Sequence, residues 1–232
     1  MSSPTNSQAD VAYHLIRQAV VGGEFAVGQV LTETQLAQFC NVSRTPVREA
    51  LQRLEMEQVL IRGDRGLSVP DPSPEDIYDI YETRAILESA AARLAAERRT
   101  EVDLAHIDRW IQTQQSMTST EPSDHSAVNF EFGKAVWRAS HNRSLFDLLE
   151  RIGIPHARFG GQTTMSLPGQ VQRTIERHTA QREAIAARDA EQAAAIATAI
   201  AFEVRDLRIQ MWHERNNPTI SPRVAETATA LR

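Results

Sequence analysis

Arg44 and Arg48 stand four residues apart, with Ser43 and Thr45 close by, in a stretch where Val47, Leu51 and Leu54 recur at helical spacing. On a helix this pattern turns the apolar residues inward and both guanidinium groups outward. Guanidinium forks bind guanine edges or clamp phosphates, hydroxyls reach phosphate oxygens, and a helix N-terminus favours an anion. The chemistry on offer is recognition of double-stranded DNA in the major groove, with a solvated charge face as the plain alternative. Arg62-Gly63-Asp64-Arg65-Gly66 adds two arginines on a segment whose glycines permit close approach to a groove or backbone. A second chemistry starts at Arg84, which falls inside the stripe Ile80, Leu87, Ala91 and Leu94. A guanidinium among apolar residues requires a partner. That partner is either an anionic group on a ligand or a glutamate of the chain, and the residues alone leave both open. Likewise His178, on the stripe Val171, Ile175, Arg182 and Ile185, is either a pocket-facing group or a satisfied core imidazole.

The elements that position these groups follow from periodicity. Residues 1–9 are small and polar and are expected to form a disordered tail. Val11, Leu15, Ile16, Ala19 and Val20 give a first amphipathic helix ending near Gly22-Gly23. Thr32 to Gln35 has the form of a capping box and predicts a short helix over about 33–40. Ser43 is a natural N-cap for a third helix, with Pro46 tolerated in its first turn. Val59–Ile61 and Leu67–Val69 predict a β-hairpin. Residues 10–70 thus form three helices and a wing, and alternating prolines place a linker at 71–74. Residues 75–215 read as helix throughout, at roughly 75–98, 101–116, 125–141, 143–158, 169–187 and 190–214, with residues 216–232 as a disordered tail. The fold class is mostly α, a winged helix-turn-helix followed by an all-helical bundle.

A formal charge of −5 over 232 residues argues against non-specific polyanion binding by the whole molecule, so DNA must meet a local face. Residues 43–65 carry five arginines against four acids, a net +1, so affinity must rest on directed, salt-sensitive contacts. The single cysteine, Cys40, excludes an internal disulfide and reads as a packed core thiol of a reducing compartment. No apolar run approaches the ~20 residues of a membrane span, so no membrane partner and a cytoplasmic location are expected. No nucleophile-base set is recognisable, and the expectation is that the protein is not an enzyme.

Residues 11–69 resemble the GntR family of bacterial regulators, through Leu31-Thr32-Glu33, Leu36-Ala37, the ten residues Val42 to Leu51, and Gly63 to Gly66. The resemblance implies that Arg44, Thr45 and Arg48 contact operator DNA and that Gly66 and its neighbours lie against the backbone; Thr32, Ser43, Arg62 and Arg65 are expected to complete the interface. It implies a homodimer on a near-palindrome in the bacterial nucleoid, with repression the expected sense. Residues 75–214 are similar to the all-helical ligand-binding domain of that family's fatty-acid-regulator branch, the FCD type, through Ile80 to Glu88 and Ala139-Ser140-His141-Asn142. This favours an anionic effector, a carboxylate, on Arg84. Many members of that branch hold a divalent metal with one aspartate and three histidines. Alignment puts Asn129, Gly133, His178 and Ile200 at those positions. One imidazole and one amide make a poor site, so no metal cofactor is expected. The effector pocket is expected to hold Arg84, Asn129, His178 and Arg182. Trp137, Trp110 and Trp212 are read as packing residues. A helical enzyme with an appended DNA-binding module, or a DNA-binding dimer without effector, are the competing assignments.

Overall fold

The computed structural model of the protein describes residues 7–21, 23–152 and 163–217. Helix α1 (Gln8–Val21) begins where Ser7 and Asp10 cap each other. Ser7 Oγ accepts the Asp10 amide at 3.1 Å, and Asp10 Oδ2 accepts the Ser7 amide at 3.2 Å. Gln8 and Ala9, expected in the tail, are therefore helical, because the cap satisfies first-turn donors. The helix buries Ala12, Tyr13, Ile16, Ala19 and Val20, whereas Val11 and Leu15, expected on the inner face, are exposed. In α2 (Glu33–Cys40), Thr32 Oγ1 accepts the Gln35 amide at 3.2 Å, which is one half of the expected box. Asn41, with φ 53°, turns the chain into α3 (Arg44–Met56), whose inner face is Val47, Ala50, Leu51 and Leu54. Cys40 is a buried thiol 4.0 Å from the Ala12 carbonyl, and burial pushes its pKa up.

The wing pairs β1 (Ile61–Gly63) with β2 (Gly66–Ser68), leaving Asp64-Arg65 as a two-residue turn, and Val30 bridges to Ser68 on the far side. The ladder lies nearer the tip than the apolar runs suggested. Val59, Leu60 and Val69 are fully buried beneath it, so those residues fill the head's core.

The second half is helical. Helix α4 (Pro74–Arg98) opens on a capping box between Ser73 and Asp76, so Pro74 belongs to the helix, where its missing N–H costs nothing. Thr100 and Asp103 cap α5 (Glu101–Ser116) in the same way, and Pro122 starts α6 (Pro122–Ala139) three residues earlier than expected. Helix α7 (Arg143–Ile152) follows; the expected continuation to 158 and the Gly160-Gly161 turn lie outside the described residues. A 3-10 turn (Thr164–Ser166), unforeseen in the sequence, leads to α8 (Gln170–Ala186) and α9 (Ala190–Asn216). The 216–232 tail lies outside the described residues from 218 onward, and Asn216 closes α9. Helices α4 and α9 form the spine. Ala91, Ala92, Ala95 and Ala96 of α4 and Ala193, Ala194, Ala197 and Ala201 of α9 are all buried, and small side chains let the two backbones approach closely. At 27 residues, α9 is about 40 Å long and returns to the linker, where Arg215 binds Asp71 at 2.5 Å. Trp110 packs against the bundle core, and Trp212 against Ile77 and Tyr81. No helix of the described residues is long and apolar enough to cross a membrane.

Candidate functional site

The outer face of α3 presents Ser43, Arg44, Thr45 and Arg48 to solvent, because Val47, Ala50 and Leu51 between them are drawn into the core. Ser43 occupies the N-cap position without a capping side-chain bond, so its hydroxyl is available for an external acceptor. Thr32 is exposed at the start of α2, its hydroxyl engaged by the Gln35 amide. Arg62 and Arg65 are exposed on the wing, and Gly66 holds φ 118°, a conformation that favours glycine. Two of the four arginines are held by carboxylates. Arg48 Nε and Nη2 donate to both oxygens of Glu33 at 3.0 and 2.8 Å, and Arg62 Nε and Nη2 donate to Glu55 at 2.7 Å each. These contacts hold both carboxyls below the usual glutamate range. Arg53 is withdrawn from the face altogether: it binds Asp10 at 2.7 Å and lies 4.0 Å over the Tyr13 ring, tying α3 to α1.

A cavity of about 100 Å³ opens inside the helical domain, between α4, α6, α8, α9 and the 3-10 turn. A single water needs roughly 10–15 Å³ on this measure, so there is room for a small organic molecule of several non-hydrogen atoms. Arg84, Asn129 and His178 all line it. Of the two partners open for Arg84, the structure supplies a glutamate of the chain. Arg84 Nη2 donates to Glu88 at 2.5 Å, while Nε and Nη1, both buried, have no hydrogen-bond partner among the described residues. The side chain is 13% exposed, and unpaired donors at such a site carry a desolvation cost that an acceptor on a ligand would remove.

His178 is 4% exposed, stacks on Phe132 with ring centroids 3.6 Å apart, and has Nδ1 3.0 Å from Gln114 Oε1. Burial, reinforced by neighbouring Arg177, lowers its pKa to about 3. The ring is therefore neutral, with Nδ1–H donating to Gln114 and Nε2 left as an acceptor. Since the folded pKa lies below the ordinary 6.5, the unfolded chain takes up the proton first as pH falls. Stability from this group is complete above about pH 6.5 and drains away toward pH 3, by up to about 1.4 kcal/mol per pH unit. Melting curves should thus fall more steeply below pH 6.5 for the natural protein than for His178→Gln; parallel profiles would contradict a neutral buried ring.

Arg182 does not join the cluster. Both its Nε and Nη2 bind Asp108 of α5, at 2.6 and 2.7 Å, and it does not line the cavity. At 3.6 residues per turn, Arg182 sits about 100° around α8 from Gln181, on the side facing α5. The face of α8 that does meet the cavity is Gln170, Thr174, His178 and Gln181, all buried, together with half-buried Arg177. The apolar stripe sought in the sequence is off this face, since Val171 and Ile175 are only half-buried. A polar residue every three or four positions around His178 was the signal available. Tyr81, Glu88 and Arg208 also line the cavity; the first two lie in the stretch Ile80 to Glu88 but were not singled out as site residues, and Arg208 carried no distinguishing mark in the sequence. Trp137 is 3% exposed and serves both as core residue and as cavity wall.

The four positions that would ligate a metal in similar domains do converge: Asn129, Gly133, His178 and Ile200 all line this cavity. Their chemistry does not fit an ion. Gly133 and Ile200 offer no donor, and a Cβ on Gly133 would come within 3.3 Å of the Trp137 ring, which takes the space a side chain there would need. The remaining imidazole already gives Nδ1 to Gln114. One imidazole nitrogen and an amide fall short of the three protein ligands typical of such centres.

With this geometry in hand, the chain can be placed among known proteins. Residues 79–201 match the family described as FCD domain, and residues 8–67 match the bacterial regulatory proteins of the gntR family. The uncharacterized HTH-type transcriptional regulator YdhC of Bacillus subtilis (strain 168) is 32% identical over 143 residues, 60% of this chain and 64% of YdhC. The Nta operon transcriptional regulator of Aminobacter aminovorans is 31% identical over 133 residues, 57% of this chain and 63% of that protein. The chain thus spans less than two thirds of the length of these relatives. Among solved structures, E. coli McbR/YncC superimposes with TM-score 0.67 at 25% identity, covering 94% of this chain and 100% of that one.

Proposed function

We propose, from the premise that this chain belongs to the FCD-domain family and carries a gntR-type head, that it is a DNA-binding transcription regulator, not an enzyme. In this reading it acts in the cytoplasm as a homodimer on a near-palindromic operator, in the sense of repression, and a small carboxylate in the helical cavity releases it. The observation that carries the effector half is the pair of buried donor atoms on half-buried Arg84, Nε and Nη1, which have no partner among the described residues and face a cavity of molecular size. A carboxylate would accept from both donors and share the guanidinium with Glu88. This reading needs no metal ion, because the donors are the protein's own.

Two contacts support a route from cavity to head. Helix α4, which carries Arg84, starts at Pro74, six residues after the wing strand ends at Ser68. The far end of α9, whose middle lines the same cavity, is tied to the linker by Arg215 and Asp71. A ligand that favours one arrangement of α4 and α9 therefore biases the placement of the head, and the shift is limited by its differential affinity for the two arrangements.

The test is release of a bound duplex, first selected from a randomised pool by the protein itself, by a panel of small carboxylates in buffer containing EDTA. The expected result is a selected site with inverted half-sites and at least one carboxylate that both releases it and raises Tm without metal. Release that requires added zinc or nickel, or a large Tm gain from either ion alone, would overturn the metal-free effector site.

A further inference from the structure

The four arginines of the DNA-facing surface fall into two kinds, one of each on each element. On α3, Arg44 is free of any ion pair among the described residues, while Arg48 is gripped through Nε and Nη2 by both oxygens of Glu33. On the wing, Arg65 is free in the same sense, while Arg62 is gripped through the same two nitrogens by Glu55. Glu33 comes from α2 and Glu55 from the far end of α3, so two unrelated positions have produced the same fork. The head as a whole gains nothing from bulk charge: residues 8–69 hold six arginines against seven acids, a net −1.

We propose that Glu33 and Glu55 are specificity-determining residues, which withhold Arg48 and Arg62 from phosphates of arbitrary sequence and release them only to a correctly placed acceptor in the operator. This rests on the DNA-binding reading given above. A phosphate met at random offers an arginine much the same charge-assisted hydrogen bonds as the carboxylate it would displace. A non-specific complex can therefore keep both forks closed and hold DNA through Arg44 and Arg65 alone. An operator that places paired acceptors in register with Arg48 and Arg62, on a base edge or a backbone phosphate, lets both nitrogens of each fork rebind at once, and there the exchange is favourable. The operator complex uses four arginines where the random complex uses two. Discrimination arises because opening the forks is optional for the wrong sequence and rewarded for the right one, which is a repulsive element working alongside an attractive one.

The experiment measures the full-length protein and its Glu33→Gln/Glu55→Gln variant by fluorescence anisotropy between 50 and 300 mM NaCl. One probe is a random-sequence duplex of about 30 base pairs, and the other is the duplex the natural protein selects from a randomised pool. Opening both forks adds about two phosphate contacts to the random complex, so the slope of log affinity against log salt should steepen by about two. Random-duplex affinity at 150 mM salt should rise about tenfold or more, the selected-duplex affinity by less, and the ratio between them should fall. An unchanged random-duplex affinity and slope, or a ratio that holds or grows, overturns the proposal. If the double variant loses its helical circular dichroism, Glu33→Gln alone carries the test, with a slope change of about one. A natural protein that selects no duplex from the pool would overturn the DNA-binding reading first, which separates the two failures.

Discussion

Arg48→Ala is expected to weaken binding to the selected duplex by roughly 10- to 100-fold, the 1–3 kcal/mol of a bidentate base contact. Arg48 projects from α3 into solvent with its side chain 61% exposed, and Glu33 holds it extended along the outer face. Its removal costs the core nothing, because the residues that pack α3 are Val47, Ala50, Leu51 and Leu54. The loss should therefore appear in DNA affinity with Tm almost unchanged. The salt dependence shows what Arg48 touches. A base-edge contact leaves the slope near its natural value and relaxes preference at one position of the half-site, whereas a phosphate contact lowers the slope by about one and weakens all sequences alike. Unchanged affinity for the selected duplex would remove Arg48 from the interface and, with it, the assigned reading face.

The second large effect concerns Arg84. Truncating it alone would leave Glu88 as a half-buried carboxylate without its partner, a change that destabilises the fold and blurs any functional readout. Arg84→Met/Glu88→Met replaces the pair with side chains of similar length and leaves no orphaned charge. This double variant is expected to fold, to bind the selected duplex as the natural protein does, and to ignore the carboxylate that releases the latter. The affinity lost for that carboxylate should be about 1.5–3 kcal/mol for charged hydrogen bonds, roughly 10- to 100-fold, read as a vanished ligand-dependent Tm shift. Retained release would place the anion elsewhere in the molecule.

The outward face of α3 was legible because it is local. The alternation of Arg44, Val47, Arg48 and Leu51 within one helix dictates which residues turn outward, whatever surrounds the helix. The helix over Glu33–Cys40 and the N-cap at Ser43 followed from the same short-range logic. The wing strands were displaced because short apolar runs mark burial as readily as strand pairing. Val59, Leu60 and Val69 answer to the core, and the ladder forms from their less apolar neighbours. The start of α4 at Pro74 shows the same ambiguity: a proline that breaks a helix interior also begins one.

The cavity of the helical domain was only partly legible, and Arg182 shows why. It shares a stripe with His178 in the sequence, yet whether a residue four positions on meets a cavity or a neighbouring helix depends on where that helix lies. Here α5 offers Asp108, and the ion pair claims Arg182. The buried polar row Gln170, Thr174 and Gln181 was hidden by the converse assumption that an inner face must be apolar.

Residue order alone established the helical periods of α2 and α3 and the outward turn of Ser43, Arg44, Thr45 and Arg48, because these depend on interactions within a few residues of chain. The tertiary structure decided which arginines are free and which are clamped, since Glu33 lies 15 positions from Arg48 and Asp108 lies 74 from Arg182. It also decided that Arg84, Asn129 and His178 share one cavity, because their convergence is set by how four helices pack and by the volume that packing leaves unfilled.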